Sequence, residues 1–141
     1  MGHHNRLYIT TPFLGFCNSP AFPQGQVQYA HVDDRIGYLR ITAFGCRKNG
    51  DGPAQGLENL ESALDEIFSD PGLHGLVIDV RINFGGSDTK GVLIASRLAT
   101  QKYLAYTKVA RDPVNRNGWT PEIPASSNRA PGRASMGPWC C

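Results

Sequence analysis

Apolar and polar positions alternate with a period of two from Val27 to Val32 and again from Ile36 to Phe44, which predicts two strands. Between them Asp33-Asp34-Arg35 forms a turn whose acidic side chains can bond their own backbone, so the pair reads as a hairpin. In the second strand Leu39 and Ile41 share one face, the core side. Farther on the period changes. Leu57, Leu60, Leu64, Ile67 and Phe68 recur at helical spacing with Glu58, Glu61, Asp65 and Glu66 opposite them, and Asp70-Pro71-Gly72 ends the helix. Charges opposite an apolar stripe read as a solvated face, so these carboxylates are not an acid/base pair.

The run Leu76 to Val80 is short, apolar and β-branched, and it stops abruptly in polar residues and Gly85-Gly86. Such a run predicts a central strand buried on both faces. The paired glycines followed by Ser87 or Asp88, a helix N-cap, make a tight loop able to turn backbone N–H groups toward a ligand. In an α/β sheet chemistry lies outside the carboxyl end of a strand, which makes this loop a candidate for half of an active site. Asp79, Arg81 and Asn83 alternate along one side of the strand end, where side-chain hydrogen bonds can fix the loop. Val92, Leu93, Ala95, Ser96, Leu98 and Ala99 then mark a second helix, and Tyr103 to Val109 a third strand of the sheet. Strand, helix, strand, helix and strand in succession predict right-handed crossovers and a mostly parallel sheet, an α/β fold.

Residues 1–26 lack a sustained period and read as an irregular lead-in, with one short strand at Leu7 to Thr10; Gly45 to Gly56 reads as a surface loop. Residues 27–112 form the ordered core. From 113 to 141 Pro, Gly, Ser and Arg dominate, no period holds, and no regular structure is expected.

With 141 residues, 40% of them hydrophobic, the chain can build one domain with a real core. Its net charge of +2 is small and interspersed, which argues against a nucleic-acid partner or an anionic membrane surface. No apolar run has the length of a membrane span, and no signal peptide is visible. Cys17, Cys46, Cys140 and Cys141 follow neither zinc-site nor disulfide-framework spacing, so the redox compartment stays open. His3-His4 reads as a solvated terminus and His74 as a lone histidine; no metal site and no cofactor are expected.

Asp79-Val80-Arg81-Ile82-Asn83-Phe84-Gly85-Gly86 resembles the D-(L/V)-R-x-N-x-G-G signature of the tail-specific, or C-terminal-processing, serine peptidases, a family that includes the tricorn core and the repeats of interphotoreceptor retinoid-binding protein. Asp34 to Phe44 resembles the strand that enters the family's catalytic core, and the helix between the two blocks falls where the family has one. The match spans roughly Val32 to Asp112. The resemblance implies a Clp-protease/crotonase-like spiral core, here incomplete, and a peptide or protein substrate cut near its C-terminus. Relatives are often exported or periplasmic. It also implies that a Gly85 or Gly86 amide lines an oxyanion hole, with Asp79, Arg81 and Asn83 supporting the loop.

The family's attacking serine lies in a later S-A-x-E-like segment, with lysine or histidine as base, and neither is found here; Ser126, Ser127 and Ser135 lack that context. Met136 to Cys141 can be encoded as ATG GGC CCG TGG TGC TGC, which read two nucleotides further on gives Gly-Pro-Val-Val-Leu, a buried-strand sequence. A frameshift somewhere after Trp119-Thr120-Pro121 is therefore expected, and with it an inactive polypeptide. Two other readings stand beside a peptidase fragment. One is a non-catalytic lipid- or peptide-binding module of the same fold. The other, a nucleotide-binding protein, is weakest, because both Gly-x-Gly-x-x-Gly and the phosphate-loop lysine pattern are absent.

Overall fold

The computed structural model describes residues 9–46 and 51–127. His3-His4, Cys140, Cys141 and Ser135 lie outside them, as does the Met136–Cys141 segment. The described residues divide into two compact units at Ser87/Asp88.

The first unit holds one mixed sheet and one helix. Its strands are β1 (Leu14–Phe16), β2 (Val27–His31), β3 (Ile36–Ile41) and β4 (Gly75–Asp79), hydrogen-bonded in the order β1-β2-β3-β4. The β2–β3 hairpin forms as its alternation dictates, and Asp33 closes its turn by accepting from Arg35 N at 2.8 Å and Ile36 N at 2.7 Å through Oδ1. Helix α1 (Pro53–Phe68) crosses from β3 to β4, which pair in parallel. It begins inside the stretch read as loop, because a proline at the first helical position gives up only an N–H that would have no intrahelical partner. At the other end Ser69 N bonds Asp65 O at 3.0 Å, and Asp70 Oδ1 accepts from Gly72 N at 2.8 Å.

Sheet and helix share one apolar core. Val27, Leu39 and Ile41 from the strands, and Leu60, Ala63, Leu64, Ile67 and Phe68 from α1, are all buried. The opposite sheet face carries Gln28, Arg40 and Asp79, cross-strand neighbours in a single row. A disulfide joins Cys17 to Cys46, a pairing that the cysteine spacing did not indicate.

Three expectations are corrected. The sheet is not mostly parallel, since only β3–β4 runs that way. Nor is β4 central: among the described residues it is the edge strand of this sheet, and Val77 and Val80 are exposed. A β-branched run signals extended backbone whether or not both faces are covered, so it cannot tell edge from centre. Finally, Ile9 and Thr10 are not in a strand; the lead-in instead supplies β1, and Thr10 N reaches His31 O at 2.8 Å.

The second unit contains helix α2 (Asp88–Leu98) and a two-stranded antiparallel sheet of β5 (Tyr103–Lys108) and β6 (Ile123–Ser127). The strand expected to continue the parallel sheet is thus β5 of a separate hairpin, because its partner β6 lies in the stretch expected to lack regular structure. α2 packs on β6. Asp88 accepts from Tyr106 Oη at 3.0 Å and from Lys108 Nζ, which ties the start of the helix to β5.

Candidate active-site loop

The loop after β4 is built on Asp79, whose side chain is buried although β4 is an edge strand. Arg81 donates Nε to Oδ1 at 2.9 Å and Nη2 to Oδ2 at 2.9 Å, while the Arg81 backbone N–H adds a third bond to Oδ1 at 3.0 Å. From β3 the Tyr38 hydroxyl donates to Oδ2, and Arg40 Nε stands 3.9 Å from the same oxygen. The hydrogen bonds from Arg81, then that of Tyr38, hold the Asp79 carboxyl well below the usual carboxylate range. Reciprocally, Arg81 is held more firmly protonated by Asp79. An ionised carboxylate at the end of β4 therefore clamps the first residues of the loop to the strand that precedes it.

Asn83 supplies the second brace. Its Nδ2 donates to Ile41 O at 3.0 Å, across to β3, and its Oδ1 accepts from Gly85 N at 2.7 Å. Main-chain bonds extend this register: Phe84 N to Thr42 O and Phe44 N to Gly85 O, each 2.8 Å, then Ser87 N to Phe44 O at 3.2 Å. The loop thus lies along the backbone that follows β3.

Both glycines are needed, for different reasons. Gly85 has φ +83° with open space around it, while Gly86 has φ +132° and is so close to Phe44 that an added Cβ would stand 2.8 Å from the Phe44 carbonyl carbon and oxygen. Only a residue without Cβ takes both the angle and the approach. Their amides also differ. The Gly85 N–H is spent on Asn83, whereas the Gly86 N–H has no acceptor among the described residues. Around the loop Ile82 and Phe84 stand 62% and 76% exposed.

The structure brings together Asp79, Arg81, Asn83, Gly85 and Gly86. Tyr38 and Arg40 belong with them although the sequence reading did not single them out; the available signal was their alternation with Leu39 and Ile41, which puts both on the sheet face of Asp79. Ser126 and Ser127 lie on β6 of the second unit, and neither makes a hydrogen bond to a lysine or histidine among the described residues; Ser127 is fully buried. His74 faces Arg35, with Nδ1 3.4 Å from Nη2. Among the described residues no group of three His, Cys, Asp or Glu could hold a metal ion, and no helix is long and apolar enough to cross a membrane.

A sheet with a parallel βαβ crossover, ending in a braced glycine loop, defines an α/β protein with its candidate chemistry at the carboxyl end of a strand. The model of peptidase family S41 matches residues 35–132, and the chain belongs to that family. Among solved structures, it is similar to the crystal structure of a protein from Parabacteroides merdae described as a candidate peptidase, at 23% identity and a TM-score of 0.58. The match covers 92% of this chain and 36% of that one, so the chain spans about a third of that relative's length. No curated protein matches the sequence.

Proposed function

We propose that this chain carries part of the acyl-transfer site of a serine-type endopeptidase of the tail-specific family, and that its contribution is one donor of the oxyanion hole together with the frame that aims it. One observation carries the reading: of two adjacent glycine amides, one is consumed in bracing the loop and the other, that of Gly86, has no acceptor among the described residues. In acyl transfer the carbonyl oxygen gains negative charge, and a preorganised N–H aimed at it lowers the barrier by roughly 3–4 kcal/mol. Asp79, Arg81 and Asn83 act as positioning residues. They touch no reacting atom, but they set the angle at which Gly86 leaves the sheet.

The remaining parts are a serine, a base and a second donor, and they belong to a later segment in the family pattern. Without the serine, no acyl-enzyme can form and the barrier is not divided. The chain as written therefore has no peptidase activity of its own. Clp-protease/crotonase-like spiral architecture and a peptide substrate cut near its C-terminus follow from the same reading. The Cys17–Cys46 disulfide favours an oxidising compartment for it. Exposed Ile82 and Phe84 beside the loop support a second reading, a module that binds an apolar lipid or peptide without turning it over.

The test uses two polypeptides, the chain as written and one whose downstream frame is restored so that Gly-Pro-Val-Val-Leu replaces the closing residues and translation continues. An unstructured peptide with an apolar C-terminus should survive the first and be cut by the second. In the restored protein Gly86→Ala keeps the N–H but forces its backbone away from Phe44, so the donor is misaimed and kcat should fall by about a hundredfold. Cleavage by the chain as written, or an unchanged kcat in the Gly86 variant, would overturn the proposal. Tight binding of the peptide with no turnover by either polypeptide would favour the second reading.

A further inference from the structure

The polar face of the first sheet holds an unbalanced charge beside a cavity. Gly15, Gln28, Arg40 and Asp79 are successive partners across β1, β2, β3 and β4, so they form one row on one face. Gly15 adds no side chain to that row, and the Gln24 backbone lies so near that a Cβ there would stand 2.2 Å from the Gln24 carbonyl oxygen. The space left between that backbone and Arg40 is a cavity of about 460 Å³ lined by Phe13, Gly15, Asn18, Gln24, Gln28 and Arg40.

Asp79 brings one negative charge to this face, and Arg81 already occupies both of its oxygens. Arg40, at 3.9 Å, is beyond hydrogen-bond reach, and its Nε is buried with no hydrogen-bond partner among the described residues. Two arginines thus share one carboxylate, which leaves an excess charge of one on Arg40. The guanidinium is held in place by aromatic rings instead, 5.2 Å from the centre of Phe13 and 6.0 Å from that of Tyr38. Among the described residues no acidic side chain lines the cavity. The Asn18 and Gln28 amides each spend one of their two donors, on Pro23 O at 3.0 Å and Gly25 O at 3.1 Å, whereas the Gln24 and Arg40 side chains make no hydrogen bond among the described residues and keep all their donors.

We propose that this cavity is a carboxylate-binding site in which the Arg40 guanidinium takes the anion, Gln24 assists, and Phe13 forms the wall for the group the carboxylate is attached to. A planar guanidinium fork matches the two oxygens of a carboxylate. A single excess positive charge with the Asp79 carboxylate close behind it disfavours a dianion such as phosphate. The carboxylate can come from a small organic acid or from a peptide C-terminus. The site involves none of the loop amides, so it stands or falls independently of the acyl-transfer reading.

The test is a titration of the ¹⁵N-labelled chain, followed by the Arg40 Nε–Hε and Gln24 side-chain amide NMR signals at constant ionic strength. Three probes are used: sodium acetate, a short peptide with a free C-terminal carboxylate, and the same peptide as its C-terminal amide. Saturable shifts of both signals with the acid peptide, absent with the amide, are expected. Acetate acting at the same concentrations identifies the carboxylate alone as sufficient, whereas a response to the acid peptide only identifies a peptide terminus as the source. Arg40→Gln should weaken the response by about tenfold or more, as loss of a charged hydrogen bond does, and Arg40→Lys should recover part of it. Arg40 signals that move with no probe, that move equally with the amide peptide, or that respond more strongly to inorganic phosphate would overturn the proposal. The unmodified chain alone decides this, whether or not the variants fold.

Discussion

Arg81 holds Asp79 by both carboxylate oxygens and by its own backbone N–H, so a residue of the loop is locked to the last residue of the strand before it. The lock depends on charge. Because the folded-state pKa of Asp79 lies below its ordinary value of 3.8, its contribution to stability is fully present above that value and is lost as pH falls through the folded pKa. Asp79→Asn should therefore lower Tm at neutral pH. The gap from the unmodified chain should stay constant down to about pH 5 and close progressively below about pH 4, where the carboxylate of the unfolded chain is protonated. Paired thermal melts from pH 7 to pH 2 check this, and a gap independent of pH would show that packing, not charge, matters there.

The two loop glycines should respond unequally to the same substitution. At Gly85 an alanine meets open space and bears only the cost of a left-handed φ, about 1 kcal/mol. At Gly86 it must also push the Phe44 backbone away, so the cost should reach about 1–3 kcal/mol or more. Chemical denaturation of the two variants measures both. Equal costs would mean that the close approach of Gly86 to Phe44 is not a constraint on the fold.

Asn83 bridges β3 and the loop, so Asn83→Ala leaves both the Ile41 carbonyl and the Gly85 amide without their side-chain partner. A loss of about 1 kcal/mol is expected, since water can reach the exposed end of this bridge. Local exchange is the sharper readout: the Gly85 amide proton should exchange with solvent faster, while the Ile41–Val27 region of the sheet keeps its protection.

What could be read in advance follows the range of each interaction. The hairpin turn at Asp33, the stripe of α1 and the clustering of Asp79, Arg81 and Asn83 at a strand end are set by residues a few positions apart, and their spacing displays them. The neighbours of β4 are not set that way. Whether a β-branched run is flanked on two sides or one depends on which other segment reaches it, and Tyr103–Lys108 pairs with Ile123–Ser127 instead. Tyr38 reaches Asp79 from 41 residues away; only the β3–β4 register brings them together. The same holds for the two glycines. Their presence was plain, but that one amide is spent while the other has no acceptor among the described residues depends on where the Asn83 side chain turns.

Cys17 and Cys46 are the extreme case, since nothing in their spacing connects them, yet the chain brings both into the buried part of the first unit. Both have a left-handed backbone, with φ +59° and +50°, so the ends that they join are fixed in conformations that L-residues adopt at a cost. Around Cys46 the Gln26 side chain accepts from Cys46 N at 2.8 Å and Gly45 N at 3.1 Å, which pins the end of β3 to the start of β2 independently of the sulfur bridge. Reduction therefore should leave the hairpin register intact and act mainly on the unfolded chain. Releasing a link between residues 29 apart should cost about 3–4 kcal/mol on the chain-entropy estimate. The measurement is the unfolding free energy of the oxidised chain against the Cys17→Ser/Cys46→Ser double variant, with ¹H–¹⁵N spectra of both to compare the β2–β3 amides. A loss well under 1 kcal/mol, or amides displaced throughout the hairpin, would show that the link acts on the folded state instead.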